Sequence, residues 1–555
     1  MDLIITAVEF LAFTILVAVI SWWKTKDDKL DTQDGYYLAG HSLIGIVIAG
    51  SLLMTNLSAE QLVGNNGQSA RVGMSTMGWE VTSAIALTFL AFVLMPRYLK
   101  TGLTTVPEFF ETRYDKFARR LVSIIVLFSY VVIMLPNILY AGAQVFVEIF
   151  NVQEITGLSQ FWCLAILGAI IAVVGACYAL FGGLHAVALS DSINGIGLIV
   201  GGLLVPIFGL VKLSEVRGTG AGFSEGFHLF LTLDPVRLNV WNPVNLNEPY
   251  LPWPLLFTGM VINNLYYWST NQSIIQRTFG AQNLKEAQKG AIFASFMKIC
   301  TPLIIVFPGI IAYFIWGEEV WTNNGDVAYP MIVNGVMPSW LLGFFAAVMF
   351  GAILSSFNSV LNSASTIYAL DIHRPIFNPG CSDAHCVKVG QTFGTALTVF
   401  AIILSPFMLY MGGITSFVNS AFAAFNTPIF VCLAVGFLSK KASAILPKVV
   451  IPIHVVLYCL LQFILRNQID ALANVHYLYF TAVLFVVDMI IVAICNKVAP
   501  RQTDFVLEDH AAVDLTPWKL GKAVACVSLI VMAIAYIIFS PIGVAASGYV
   551  TYTVM

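Results

Sequence analysis

Charge is what this chain has least of. Asp, Glu, Lys and Arg make up 10% of its 555 residues, against 58% hydrophobic residues and a mean hydropathy of +0.85. A soluble domain carries about 25% charged residues, so a soluble globular fold is excluded. The net charge of -3 gives no argument for nucleic acid, and none is expected as a partner. Nine cysteines are scattered, mostly inside apolar runs, with no closely spaced thiolate cluster. Neither a structural zinc site nor a disulfide scaffold is expected. The N-terminus, MDLIITAVEFLAFTILVAVISWW, lacks a basic n-region and a small-residue cleavage site, and it carries Asp2 and Glu9. It reads as a first membrane span, not a signal peptide. The outer loops lack convincing Asn-x-Ser/Thr acceptors, and no appended soluble signalling domain is visible.

What is present is a succession of long apolar runs. A helical span needs about 20 mainly apolar residues. Candidates lie near 2–21, 42–66, 76–96, 120–149, 162–180, 188–212, 253–273, 289–315, 338–370, 388–409, 413–438, 445–464, 475–495 and 521–543. The expected fold is an all-α polytopic membrane protein of about 14 transmembrane helices in one domain spanning 1–555. With the N-terminus outside, the inside loops hold 21 of the 27 basic residues, and Lys298 alone lies within a span. That bias fits the positive-inside rule and puts both termini outside. Residues 97–119 and 273–289 read as amphipathic interfacial helices, intracellular gates or plain loops, all on the inside.

The second span, GIVIAGSLLMTNLSAEQLVGNNG, is interrupted at Met54-Thr55-Asn56-Leu57-Ser58, and Glu60, Gln61, Asn65 and Asn66 follow. Backbone that stops being helical at membrane depth needs its carbonyls satisfied by protein, water or an ion. Broken helices of this kind build midplane sites in transporters. Other polar residues also lie where lipid should not tolerate them: Glu80 and Ser83 in the third span, Asp191 at the start of the sixth, Asn263, Asn264, Tyr266 and Tyr267 in the seventh, and Lys298 in the eighth. Such groups face the bundle interior or a water-filled cavity. Each alone is compatible with a hydrogen bond that locks two helices. Together, Gln61, Glu80, Ser83, Asn264 and Lys298 offer the donors and acceptors that a hydroxyl-rich solute requires, and Tyr267 adds a flat aromatic face.

The ninth span, FFAAVMFGAILSSFNSVLNSASTIYALD, is rich in small residues and hydroxyls, including Ser355, Ser356 and Ser359. Small residues allow close helix packing. Neutral hydroxyls combined with the free carbonyls of the second span would equally suit sodium without a carboxylate.

Several longer stretches resemble the sodium:solute symporter family, and within it the sodium/glucose cotransporter branch. These are GYYLAGHSL, GSLLMTNLSAEQLVG, TTVPEFFETRYD, FGGLHAVALSDSING, NLYYWSTNQSIIQRTFGAQNLKEAQKG and SSFNSVLNSASTIYALDI. The resemblance runs to about residue 440. It implies a five-plus-five inverted-repeat (LeuT-like) core, with repeats over 42–212 and 253–438 and peripheral C-terminal helices over 445–543. The broken helices would be the second, at 54–58, and the seventh, around Asn263–Leu265. The family's sodium site falls on backbone oxygens near Met54 and Leu57, with Ala352, Ser355 and Ser356, and Asp191 matches a residue on the ion exit path. The solute site falls on Gln61, Glu80, Ser83, Asn264, Tyr267 and Lys298, with Tyr267 also a gate. Ser420 stands where relatives place a glutamine against the sugar. Trp79 and Asn65 occupy an outer gate position that differs from the common pattern.

The function this implies is sodium-coupled symport of a sugar or sugar-like polyol of the glucose or galactose type, by alternating access. Sodium is the coupling ion. No cofactor, no enzymatic activity and no obligate protein partner are expected. The alternatives are another solute (inositol, a sugar acid, sialic acid or a nucleoside) or a nutrient sensor that keeps the transporter fold. The expected location is the inner (cytoplasmic) membrane of a bacterium, multi-pass in the lipid bilayer.

Overall fold

The computed structural model describes residues 2–218, 220, 222–244, 251–325, 327–410, 414–548 and 550. Glu248–Tyr250 of the EPYLPWP stretch and the acidic loop residue Asp326 lie outside them. Among the described residues the regular structure is helical, and eleven helical stretches are long and apolar enough to cross a membrane. Two of these stretches are composite. Gln160–Arg217 has 58 residues, which at about 1.5 Å per residue is nearly three times a hydrocarbon core of about 30 Å. Its chain turns at Gly183, where φ is 61° and ψ is -169°. A Cβ there would also stand 3.0 Å from the Tyr36 carbonyl oxygen, so glycine serves both the left-handed backbone and the close approach. Ala59–Thr101 likewise joins the outer half of the second span to the third. The second and seventh spans each divide into two short helices, so among the described residues each of the fourteen expected spans has a helical counterpart.

Proline and wide turns shape the long helices. In the third span a π-helical turn, Leu90–Leu94, precedes Pro96; in the fourth, Ser129–Met134 precedes Pro136. Proline has no N–H to donate and crowds the preceding turn, and the wider turn absorbs both effects.

The second span breaks where expected. Gly45–Asn56 ends at Leu57 (φ -81°, ψ 75°), Ser58 is extended, and Ala59–Val72 resumes. The seventh does not. Asn263–Leu265 are helical within Gly259–Ser269, and the interruption falls at Thr270–Asn271, after which Gln272–Phe279 follows. Polar side chains inside a span do not break a helix when the bundle can bond them. The Asn271 side chain caps the new helix by accepting from the Ser273 N–H.

That second half-helix also corrects the reading of 273–289 as an interfacial segment or loop. Every residue of Gln272–Phe279 is buried. Its polar residues bond inward: Gln272 donates to the Thr104 carbonyl (3.0 Å) and accepts from the Val106 N–H (2.9 Å), and Gln276 donates to Tyr37 O and Thr366 Oγ1. Arg277, counted from sequence among the inside-loop cations, is 1% exposed. No disulfide scaffold exists among the described residues, but Cys381 and Cys386 are joined locally across a turn, with Cα atoms 6.5 Å apart.

Candidate functional site

The break in the second span and the middle of the seventh face one cavity of about 680 Å³. Its wall includes Gln61, Glu80, Ser83, Asn264, Tyr267 and Ser420, together with Trp79 and Asn65. Lys298 is not in the wall. It stands behind it, forming an ion pair with Glu80 and donating to the Asn56 side chain, and it is 1% exposed. Thr301 Oγ1 donates to the same Glu80 oxygen at 3.0 Å. The deep cation and the deep carboxylate therefore neutralise each other. A charged pair out of water is kept only with close geometry and further hydrogen bonds, and this one has both.

Beside this pair the wall carries amides and hydroxyls, two sets of which are paired with each other. Asn65 Nδ2 donates to Gln61 Oε1 (2.8 Å), and Ser83 Oγ donates to Asn264 Oδ1 (3.0 Å). Asn264 Nδ2 is buried with no protein partner. The Glu60 carboxylate accepts from Asn137 at 2.6 Å. Deeper still, Tyr130 donates to Asn271, beside Ser273.

The cavity meets solvent at the end carrying Gln68, Arg71, Arg466 and Asn474, which are partly or fully exposed. At the opposite end the bundle is shut. Tyr98 donates to the Ser269 carbonyl at 2.8 Å, Phe109 stacks on Phe437, and the fully buried Arg113 donates to the carbonyls of Gly436, Ser439 and Ala442.

Beside the cavity, the second and ninth spans meet at the break. The Ser58 N–H turns to the Asn56 carbonyl, so Met54 loses the helical donor that would have reached its oxygen. Ser356 Oγ donates to the Thr55 carbonyl (3.1 Å), Thr55 and Ser359 hydroxyls lie 3.1 Å apart, and Ser355 Oγ is buried without a partner. Met54, Leu57, Ala352, Ser355 and Ser356 are all buried. Neutral oxygens of the second and ninth spans thus lie together beside the break, a donor type suited to a hard monovalent cation. Asp191 lies just beyond. It accepts from Ser51 (2.6 Å) and pairs with Arg277 at 3.7 Å, while Arg277 also donates to Ser51 and Ser359.

Sequence reasoning did not find Arg277, Tyr130, Asn137 or Asn271, nor the contribution of Gln462, Arg466 and His476 to the same wall. A signal exists for Arg277: Gln272–Phe279, QSIIQRTF, sets blocks of polar residues against apolar ones at helical spacing directly after an apolar helix, as the second half of a broken span does. For Asn137, the signal was an amide next to Pro136 inside a span.

The profile of the sodium:solute symporter family matches residues 36–445. An uncharacterized symporter, YidK, of Escherichia coli (strain K12) is 39% identical over 93% of this chain and 87% of its own length. The sodium/glucose cotransporter of Vibrio parahaemolyticus is 30% identical over 79% of this chain and 82% of its own. Sodium/myo-inositol cotransporter 2 of Bos taurus is 28% identical over 86% and 74%. Glucose and inositol relatives thus match at nearly equal identity, and the expected assignment to the glucose branch does not stand out. Among solved structures, a substrate-bound, outward-open sodium-coupled sialic acid symporter superimposes with a TM-score of 0.74, at 18% identity, over 90% of this chain and 99% of that one.

Proposed function

Since this chain belongs to the sodium:solute symporter family, and is a sodium-coupled secondary transporter of a small solute, not an enzyme, we propose that its cargo is an uncharged cyclic polyol. An inositol-type cyclitol and a hexose of the glucose or galactose type both belong to this class. The observation that carries this reading is the closed Glu80–Lys298 pair, which leaves amides and hydroxyls such as Gln61, Asn65, Ser83, Asn264 and Ser420, together with the Glu60 carboxylate held by Asn137, as wall contacts for a solute. Amides and hydroxyls both donate and accept, which matches ring hydroxyls and gives a carboxylate no counter-charge. The solutes named for the relatives, glucose, myo-inositol and sialic acid, share a hydroxylated ring. A sugar acid is the second reading, favoured by the two guanidinium groups, Arg71 and Arg466, in the cavity wall.

Sodium binds at Met54, Leu57, Ala352, Ser355 and Ser356, bridging the second and ninth spans. It favours the geometry that assembles the solute site, so each ligand raises the affinity of the other. The solute rests on Tyr267 beneath Gln61, Asn264 and Glu80, with Trp79 and Asn65 on the outer side. The repeats at 42–212 and 253–438 then rock. The closure made by Tyr98, Arg113 and Gln272 opens, Tyr267 moves aside, and sodium leaves past Asp191. One charge crossing 100 mV contributes about 2.3 kcal/mol, roughly fifty-fold accumulation. The basic residues on the closed side support its being cytoplasmic, in a bacterial inner membrane with both termini outside.

Competition against labelled myo-inositol uptake tests the substrate class. Inositol and hexoses should compete, and a sugar acid should compete weakly. Strong competition by the acid alone would replace the neutral reading with the second one.

A further inference from the structure

Apart from the Glu80–Lys298 and Asp191–Arg277 pairs, the bundle buries a further ionisable pair. His454, in Leu446–Cys459, and Asp488, in Tyr477–Val498, lie with Nδ1 and Oδ2 2.7 Å apart and side chains 0% and 1% exposed. These are the twelfth and thirteenth spans, outside the repeats. Each partner keeps a buried polar atom with no protein partner: His454 Nε2 and Asp488 Oδ1. The same is true of Tyr458 Oη and Gln462 Oε1, and Gln462 is in the cavity wall. His454, Tyr458 and Gln462 recur every four residues, the spacing of one helix face. The imidazole and phenol rings are nearly parallel, with centroids 6.3 Å apart. Tyr458 belongs to one buried cluster with Ala423, Ala424, Phe480 and Leu484. An unpaired polar atom at membrane depth is costly, and here three lie on one helix face between the cavity wall and an acid–base pair whose carboxylate carries the fourth.

We propose that His454 and Asp488 form a proton-binding site, loaded from the cavity along Gln462 and Tyr458. With the carboxylate ionised, the imidazole N–H at Nδ1 donates to Oδ2, and Nε2 keeps its lone pair. A hydronium ion arriving from the cavity gives up one proton: an O–H bond breaks, an N–H bond forms at Nε2, and water is released. The pair passes from one net negative charge to a neutral imidazolium–carboxylate. A net charge inside the bundle is the costly state, so loading relieves it. The other titratable groups facing the pair are Tyr458 on its own helix and Cys432 from the eleventh span, and Tyr458 in turn faces Tyr477 and Arg466. Among the described residues no further charged side chain forms an ion pair with either member. The thirteenth span packs directly on the half-helix that carries Asn264 and Tyr267; a Cβ on Gly259 would lie 2.2 Å from the Leu478 carbonyl oxygen. Protonation is thereby placed to bear on the solute site.

The test is proton uptake by the purified full-length protein in detergent, without solute, on acidification from about pH 8 to about pH 5, the range in which histidine ordinarily titrates. Wild type takes up one proton per chain more than His454→Gln, which has no imidazole, and one more than Asp488→Asn, in which a proton on His454 would leave a net charge inside the bundle; the other groups cancel in the difference. Gln462→Leu, which keeps the pair but blocks its approach, takes up the full number more slowly. Equal uptake by wild type and whichever pair variant folds would overturn the proposal and leave the pair as a lock between two helices. Unchanged kinetics in Gln462→Leu would overturn the route.

Discussion

Replacing Lys298 with methionine while leaving Glu80 in place is expected to be far more damaging than replacing both. The two side chains are 1% and 3% exposed and in direct contact. A contact ion pair in an effective dielectric of about 20 is worth roughly 5 kcal/mol. Removing one partner of a buried pair typically costs about 3–5 kcal/mol, because the other charge stays buried and uncompensated. In Lys298→Met, Glu80 keeps one hydroxyl donor, Thr301. In Glu80→Gln, the ammonium keeps Asn56 and the face of Trp268, 5.7 Å from the ring centroid. Each single variant should therefore lose about 3 kcal/mol or more. Glu80→Gln/Lys298→Met, with no stranded charge, should recover at least about 2 kcal/mol of the summed loss. The assay is a double-mutant cycle on unfolding in detergent, read by the Trp fluorescence of the folded bundle. Additive single-site losses, with no coupling, would refute the claim that these residues neutralise each other.

Other outcomes follow from particular contacts. Ser356→Ala removes a hydroxyl that reaches the break in the second span, and should raise the sodium concentration for half-maximal uptake about tenfold, near 1.4 kcal/mol. Gly309→Ala would place a Cβ 2.0 Å from the Asn66 carbonyl oxygen. Overpacking of this kind costs about 1–3 kcal/mol, to be read as a lower unfolding midpoint. Arg113→Ala removes three bonds to carbonyls on the closed side. It should speed maleimide labelling of the buried Cys432, whose carbonyl accepts from Tyr114, by at least about tenfold, since charge-assisted bonds contribute about 1.5–3 kcal/mol each. Burial pushes the Asp115 carboxyl up, but bonds from Lys448 and the Ala118 N–H outweigh it and hold the group below the usual carboxylate range. Its contribution is therefore present above the ordinary value of about 3.9 and lost as pH falls below it. Both partners are partly exposed, so Lys448→Met should cost under about 1 kcal/mol at neutral pH.

Much of this was legible before any coordinates. Apolar run length gave the crossings, because lipid imposes about 20 residues on every helical span. The break at Leu57–Ser58 showed in the polar residues that follow it. The break in the seventh span was misplaced because Asn263 and Asn264 look disruptive in sequence, whereas the bundle accommodates them within a continuous helix. Arg277 was read as a loop cation for a related reason. Its burial depends on Asp191, Ser51 and Ser359, which come from the second, sixth and ninth spans, and no local pattern encodes that meeting. That Gln61, Glu80, Ser83, Asn264 and Tyr267 are polar groups at membrane depth is legible in the sequence, but not that Lys298 stands behind Glu80. Gln462 and His454 sit in runs whose mean hydropathy hides single polar residues, and only the rotation of the helix decides what they face.

The account rests on sodium bound between the broken second span and the ninth span driving solute uphill. The direct measurement is myo-inositol and glucose accumulation in proteoliposomes holding wild type or Ser356→Ala, under an inward sodium gradient and a matched potassium gradient. The account predicts accumulation above the external concentration with sodium alone, falling in Ser356→Ala and restored by raising sodium. Solute that binds but never exceeds its external concentration under any cation gradient would contradict it.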